Sequence, residues 1–299
     1  MIVQPLDLGK IVHYPLSPTN YFREEFPKKQ IYLHHTVSHP NPFSNIDYWK
    51  SQGIRVATCV VIAGKPYPNE KNYKDGDIVQ AFPSKYWALH LASHGSSNQI
   101  PAKYKTREWT RELEKASIAI EICNAGWLTY QNGKFYSSFR SIVPEDQVLM
   151  YVDKNGYRGQ KYYHRYTDAQ IESLRLLLHF LCDRYGIPKR YNPDMWDISV
   201  RALEGEPGIW THTSVRSDKS DCHPQPELVR MLMNLEKETV APRIETAPSP
   251  APVFKEPEAI LITPGMVIQE SAQPLDMGVS PTITNLETPI SLNTDFPTP

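Results

Sequence analysis

Val56-Ala57-Thr58-Cys59-Val60-Val61-Ile62 is rich in β-branched residues and almost wholly apolar. A strand without a polar face needs cover on both sides, and an open sheet obtains that cover from helices packed above and below it. Working outward, the same signal recurs. Ile31-Tyr32-Leu33-His34-His35 is a short β-prone run that ends in polar residues. Ser117-Ile118-Ala119-Ile120-Glu121-Ile122 alternates apolar residues with small or polar ones. Asp75-Gly76-Asp77 marks a turn, and Ile78-Val79-Gln80-Ala81-Phe82 reads as the strand that follows it. Gln131-Asn132-Gly133, between aromatic-rich flanks, signals a hairpin.

Helical patterns follow these strands. Thr167 and Gln170 have capping-box spacing, and Ile171, Leu174, Leu177, Leu178 and Leu181 then form one apolar stripe. Gly186 and Pro188 stop that helix. A second helix is predicted over Pro226–Glu236, with Leu228, Met231, Leu232 and Leu235 on one face. The expected fold is a single α/β domain, a mixed central β-sheet flanked by helices, over residues 1–238.

Beyond about Val240 this patterning stops. Residues 241–299 hold 11 of the 27 prolines, which interrupt both helices and sheet ladders. Residues 239–299 carry two basic side chains against seven acidic ones, a net −5, and contain no Trp, Tyr, His or Cys. The rest of the chain, with 30 basic residues against 26 acidic, is +4, so the total of −1 describes neither part. Residues 239–299 are expected to be a Pro-rich acidic tail, extended or disordered. Neither balance supplies the basic footprint that nucleic acid requires.

No apolar run reaches the roughly 18–20 residues of a membrane span. The N-terminal stretch MIVQPLDLGKIVHYPL has no basic segment followed by an apolar one, so synthesis in the cytoplasm without a secretory signal is expected. The four cysteines are scattered, which suits buried reduced thiols better than a disulfide framework.

Two of the ten histidines fall where metal ligands are found. His34 ends a strand, where a side chain can project into a cleft. His212 lies in Gly208-Ile209-Trp210-Thr211-His212, shortly before Lys219, Asp221, Cys222 and His223. Two imidazoles with one carboxylate or thiolate, and a fourth position open, is the catalytic zinc pattern; such a metal brings the pKa of water to ~7 and polarises a carbonyl. Some 180 residues separate the histidines, so spacing by itself does not define the site.

In this order, IYLHHTVS (31–38), DGDIVQAF (75–82), YWALHL (86–91), SIAIEI (117–122) and THTSVRSDKSD (211–221) resemble the zinc-dependent N-acetylmuramoyl-L-alanine amidases of the amidase-2 type. That superfamily includes phage T7 lysozyme and the peptidoglycan recognition proteins. The resemblance covers about residues 10–236 and implies Zn2+ in a groove at the strand ends. It implies His34 and His212 as metal ligands, with Asp221 as the third and Cys222 as the alternative. It implies Glu121 as general base and Lys219 as stabiliser of the oxyanion. His90 and Thr211 are implied at the substrate cleft. Where related chains carry a catalytic tyrosine, this one has Thr58, which leaves more of the proton transfer to Glu121.

The implied substrate is the amide joining N-acetylmuramic acid to L-alanine in bacterial peptidoglycan. The implied roles are cell-wall degradation as an endolysin, or as a bacteriolytic part of a phage tail or contractile injection particle. In those roles the enzyme would reach the wall after lysis, holin-type release or injection. A non-catalytic peptidoglycan-binding module and a structural particle component are the rival readings, and the acidic tail, without sugar-stacking aromatics, motivates the latter. His35 is expected to pack on the other face of its strand and His223 to lie at the surface. The aromatic residues of 126–163 fit cross-strand packing, with glycan stacking as the alternative.

Overall fold

A computed structural model describes residues 2–93 and 100–242. Its strands are Ile2–Val3 (β1), Val12–His13 (β2), Gln30–His35 (β3), Val60–Ile62 (β4), Ile78–Gln80 (β5), Ser117–Ile122 (β6), Trp127–Gln131 (β7), Lys134–Tyr136 (β8), Ile142–Val143 (β9), Val148–Met150 (β10), Tyr162–His164 (β11), Gly208–Thr211 (β12) and Thr239–Val240 (β13). Its α-helices are Pro42–Gln52 (α1), Arg107–Lys115 (α2), Asp168–Tyr185 (α3), Val200–Leu203 (α4) and Pro226–Asn234 (α5).

The central sheet runs β12-β3-β6-β4-β5-β2. Its neighbours are parallel except for the antiparallel pair β4–β5, so the sheet is mixed, as expected. β3 and β6 are buried along their whole length, the polar Gln30, His34, His35, Ser117 and Glu121 included. α3 packs against β4 and α5, and α2 against β6. The stripe Leu174, Leu177, Leu178 and Leu181 joins Leu228 and Leu232 in one core with Ile31, Leu33, Ile62 and Ile120. Each such side chain contributes about 1.5–3 kcal/mol by leaving water.

α3 begins with the expected capping box: the Thr167 hydroxyl accepts from the Gln170 N–H, and the Gln170 side chain accepts from the Thr167 N–H. It ends at Gly186, whose φ of 67° is the left-handed conformation that glycine adopts without strain. Asn132 and Gly133, at φ 50° and 74°, close the β7–β8 hairpin.

Three features differ from the sequence expectation. β4 starts only at Val60: residues 55–57 pair with Leu89 instead of the sheet, and Cys59 alone reaches β6, through the Ala119 carbonyl. α1 was not expected: the Asn41 side chain caps it, Pro42 opens it, and it buries only Pro42 and Ile46, too few to form a stripe. α2, RELEK-rich, buries Thr110, Leu113 and Glu114.

The aromatic region builds a second, antiparallel sheet in the order β10-β11-β7-β8-β9. Tyr130 faces Phe135 in register, with Tyr162 beside both, so these rings pack across strands. β1 pairs in parallel with β13, Ile2 opposite Thr239 and Val3 opposite Val240. All four cysteines are buried and free. Among the described residues no helix is long and apolar enough to cross a membrane. The chain divides into two units, Met1–Ile244 and Glu245–Pro299. From residue 243 onward the expected tail lies outside the described residues.

Candidate active site

The site is set by strand register. β3 and β6 pair with His34 opposite Glu121, so both side chains leave the same face of the sheet, side by side. β12 pairs with β3 through Thr211 opposite Leu33. The chain then turns into a short 3₁₀ segment, His212–Ser214, which puts His212 beside His34. Three adjacent strands thus deliver their chemistry at their carboxyl ends, where open α/β sheets form their crevices.

Asp221 returns to this point from the loop after that segment. His34 Nδ1 lies 3.1 Å from His212 Nδ1 and 3.1 Å from Asp221 Oδ2, and His212 Nδ1 lies 3.0 Å from Asp221 Oδ2. This is the one group among the described residues with the proximity to hold a metal ion. All three side chains are buried, Asp221 to 7% exposure. The thiol of Cys222, the alternative third ligand, is turned to Tyr166 instead.

Electrostatics follow burial and these contacts. Burial pushes the His34 imidazole down to about 4 despite the Asp221 carboxylate beside it. Burial opposes ionisation of Asp221, yet His212 and His34 hold its carboxyl well below the usual range. Glu121 goes the other way: burial, then the charge of Asp221, push its carboxyl well up, and Lys219 pulls against them. Lys219 therefore lies within electrostatic reach of Glu121, and of His34 as well.

A cleft of about 450 Å³ opens beside Glu121, walled by Val37, His39, Tyr48, Trp49 and Phe139. Phe139 comes from the second sheet's connections and stacks near His39 at 6.5 Å. Of these, Phe139 belongs to the aromatic stretch for which glycan stacking was the alternative reading, while His39, Tyr48 and Trp49 were not expected at the cleft. Tyr48 and Trp49 sit on α1, whose weak patterning hid it. A hollow of similar size, about 460 Å³, lies by β1 and β13 and shares no residue with the cluster.

The two residues expected at the substrate cleft are placed behind the cluster. The His90 ring meets His34 Nε2 and the Ser117 hydroxyl. Thr211 is fully buried, with its hydroxyl bonded to the Met195 carbonyl. Thr58 is buried too, and its hydroxyl donates to the Val60 carbonyl. His223, expected at the surface, is fully buried and stacks on Tyr166 at 4.3 Å; its neighbour Asp221 is drawn inward to the histidines and takes it along.

Two histidines and a loop aspartate thus meet at the carboxyl ends of an α/β sheet, with a buried glutamate in register beside His34. Residues 25–226 match the Amidase_2 family, N-acetylmuramoyl-L-alanine amidase, and the chain belongs to that family. A comparison with curated protein sequences finds no match.

Solved structures similar to this chain include PlyL, at 15% identity and a TM-score of 0.40, covering 76% of this chain and 96% of that one. The PlyG catalytic domain is 16% identical at a TM-score of 0.40, covering 78% of this chain and 99% of that one. The hydrolase AmiA of Staphylococcus aureus, in complex with its ligand, is 13% identical at a TM-score of 0.39, covering 77% of this chain and 84% of that one.

Proposed function

We propose that this amidase is a zinc hydrolase that cleaves the bond between N-acetylmuramic acid and L-alanine in peptidoglycan, with His34, His212 and Asp221 as the metal ligands. The observation that carries this reading is the triangle of ligand atoms 3.0–3.1 Å apart. Four-coordinate zinc, at about 2.0–2.1 Å from nitrogen and oxygen, sets its ligands roughly 3.3 Å apart. Two imidazoles and one carboxylate also leave a net charge that suits a divalent cation, so the residues present fit the metal.

When bound, zinc would acidify water and polarise the scissile carbonyl. The protein's own groups do the rest. Glu121 takes the proton of the attacking water and passes it to the departing L-alanine nitrogen. Its buried position keeps it from being solvated, and the adjacent cleft gives the substrate access to it. Lys219 offsets the negative charge that develops on the carbonyl oxygen. His90 acts from behind by bonding His34, and Thr211 by capping the His212–Ser214 turn, rather than by touching substrate. The aromatic wall of Tyr48, Trp49 and Phe139 receives the apolar parts of the substrate.

The part of the expected tail that follows β13, from residue 243 to 299, is read as an attachment arm, because its composition is acidic and Pro-rich and has no Trp or Tyr for sugar stacking. Such an arm suits an enzyme carried on a phage tail or injection particle. The catalytic reading is tested by metal analysis together with mass spectrometry of digested cell wall. Stoichiometric zinc and new L-alanine N-termini are expected from the native chain, and Glu121→Ala should retain the zinc while losing the cleavage. Wall binding without zinc or turnover would leave a non-catalytic peptidoglycan-binding module, and full activity in Glu121→Ala would remove the role given to Glu121.

A further inference from the structure

The outer nitrogens of the two cluster histidines lead to one residue. His212 Nε2 lies 2.9 Å from the Leu91 carbonyl oxygen. A carbonyl only accepts, so His212 carries its proton on Nε2 and its neutral ring presents a lone pair at Nδ1, toward the cluster. His34 takes longer to trace. The Ser117 hydroxyl donates to the Glu114 carbonyl at 3.1 Å, so its oxygen accepts from His90 Nε2 at 2.8 Å. His90 is then an acceptor at Nδ1, and His34 Nε2 donates to it at 3.1 Å. His34 too is left with its lone pair at Nδ1.

Both His90 and Leu91 belong to a segment held by the Glu114 carboxylate. Its Oε1 accepts from the backbone N–H groups of His90, Leu91 and Ala92 at 3.1, 3.1 and 3.3 Å. Ala92 has a φ of 47°, a conformation unfavourable for a residue with a Cβ, and three successive N–H groups turned onto one anion explain what holds it there. Glu114 is 2% exposed and sits in the last turn of α2, where the helix dipole disfavours an acid. The residue is thus costly in its own helix and fully used outside it.

We infer that Glu114 is the positioning residue of the metal centre: its carboxylate and its carbonyl together fix the tautomer and the aim of both His34 and His212. Outer hydrogen bonds of this kind orient ligand imidazoles and raise metal affinity by roughly 10–100-fold. The inference rests on the zinc reading above for its function; its physical content is the set of outer hydrogen bonds that oppose the pull of the Asp221 carboxylate on either Nδ1.

The test uses the full chain, metal-free and then titrated with zinc alone. Nitrogen-detected NMR of the metal-free protein should show Nε2–H tautomers for both histidines. Glu114→Ala should give mixed tautomers at both and bind zinc roughly 10–100-fold more weakly in competition with a chromophoric chelator. Glu114→Gln, whose amide oxygen can accept the same N–H groups, should stay within about threefold of the native affinity. Ser117→Ala should disturb His34 and leave His212 unchanged.

A folded Glu114→Ala protein with both tautomers and its zinc affinity intact would overturn the inference. Were that variant not to fold, Ser117→Ala decides, and an unaltered His34 tautomer overturns it. A native chain that takes up no zinc would sink the zinc reading instead, leaving the tautomers to judge Glu114.

Discussion

His34 and His35 are neighbours in sequence at the end of the same strand, yet they face different worlds. On one side of the pleat, His34 meets His212 and Asp221 at 3.1 Å, beside an ionisable glutamate and an open cleft. On the other, His35 bonds the Tyr166 hydroxyl at 2.9 Å and lies against His223, Tyr166 and Gly126. There, His35 Nε2 and both nitrogens of His223 are buried without a hydrogen-bond partner. Two residues of one type, equally buried, are separated in role by the two-residue period of a strand. A one-residue slip of β3 would exchange them and destroy the site.

The contrast breaks most sharply by substitution. His34→Ala should abolish zinc uptake and lower turnover by more than about 10³-fold. His35→Gln should keep zinc and stay within a few-fold of native turnover, losing about 1–2 kcal/mol of stability instead. Isotope-labelled metal counting and a wall-clearing assay on both proteins check this, and a zinc-deficient His35→Gln would erase the distinction between the faces.

Next in size is Glu121, the acid on the reactive face. Glu121→Gln should cost roughly 10²–10⁴-fold in rate. It should also make the metal-free protein more stable. The native carboxyl is pushed up by burial and by Asp221, so the folded state resists ionising it. Stability is therefore lost as pH rises from the ordinary carboxyl value of 4.5 through the raised one, and the amide escapes that loss. Denaturant melts at pH 8 should show a gain of about 1–3 kcal/mol that shrinks to nothing below about pH 4.5.

Acid acts on both faces. Burial holds His34 and His35 down to about 4, and His164 likewise. Unfolded, these rings take up protons near pH 6.5; folded, they do so only near 4. The unfolded chain binds more protons across that window, so stability should fall steadily as pH drops from about 6.5 to 4. His35→Gln should flatten the slope in metal-free protein, and melts at half-unit pH steps read it directly. A slope unchanged by that substitution would place the acid sensitivity elsewhere.

The smallest effect belongs to His223. It stacks on Tyr166 and near Tyr163 with neither nitrogen bonded. His223→Phe should therefore be neutral or stabilising by up to about 1 kcal/mol, since it removes buried polar atoms while keeping a ring in place. Thermal melting checks it, and a clear loss of stability would mean that the imidazole nitrogens are satisfied after all.

Much of this was legible in the sequence, for physical reasons that differ from residue to residue. β3 and β6 were legible as short β-prone runs, in which the polar His34 and Glu121 stood out. Thr167, Gln170 and Gly186 are local cap chemistry and formed as expected. Asp221 rather than Cys222 was approachable only through the resemblance, because a loop has no period from which to choose a facing residue.

The rest depended on contacts between distant segments. Thr211 precedes a ligand and was expected to line the cleft, but the turn at His212 puts its hydroxyl onto Met195 instead. Glu114 carries no sequence signal of its own; only the fold brings it to the N–H groups of 90–92. α1 buries too little apolar surface to mark itself, and of the second sheet the β7–β8 hairpin alone carried a turn signal.

The parallel pair of β1 and β13 gives the catalytic body an unusual topology. Ile2 and Thr239 are neighbours across a ladder, and Ala241 donates to the Val3 carbonyl at 2.8 Å. The first and last strands of this body thus clasp each other and close the backbone into a near-circle. A short bridge from residue 241 to residue 2, with new ends cut at the exposed Asn132-Gly133 turn, should therefore yield a circular permutant with the same core.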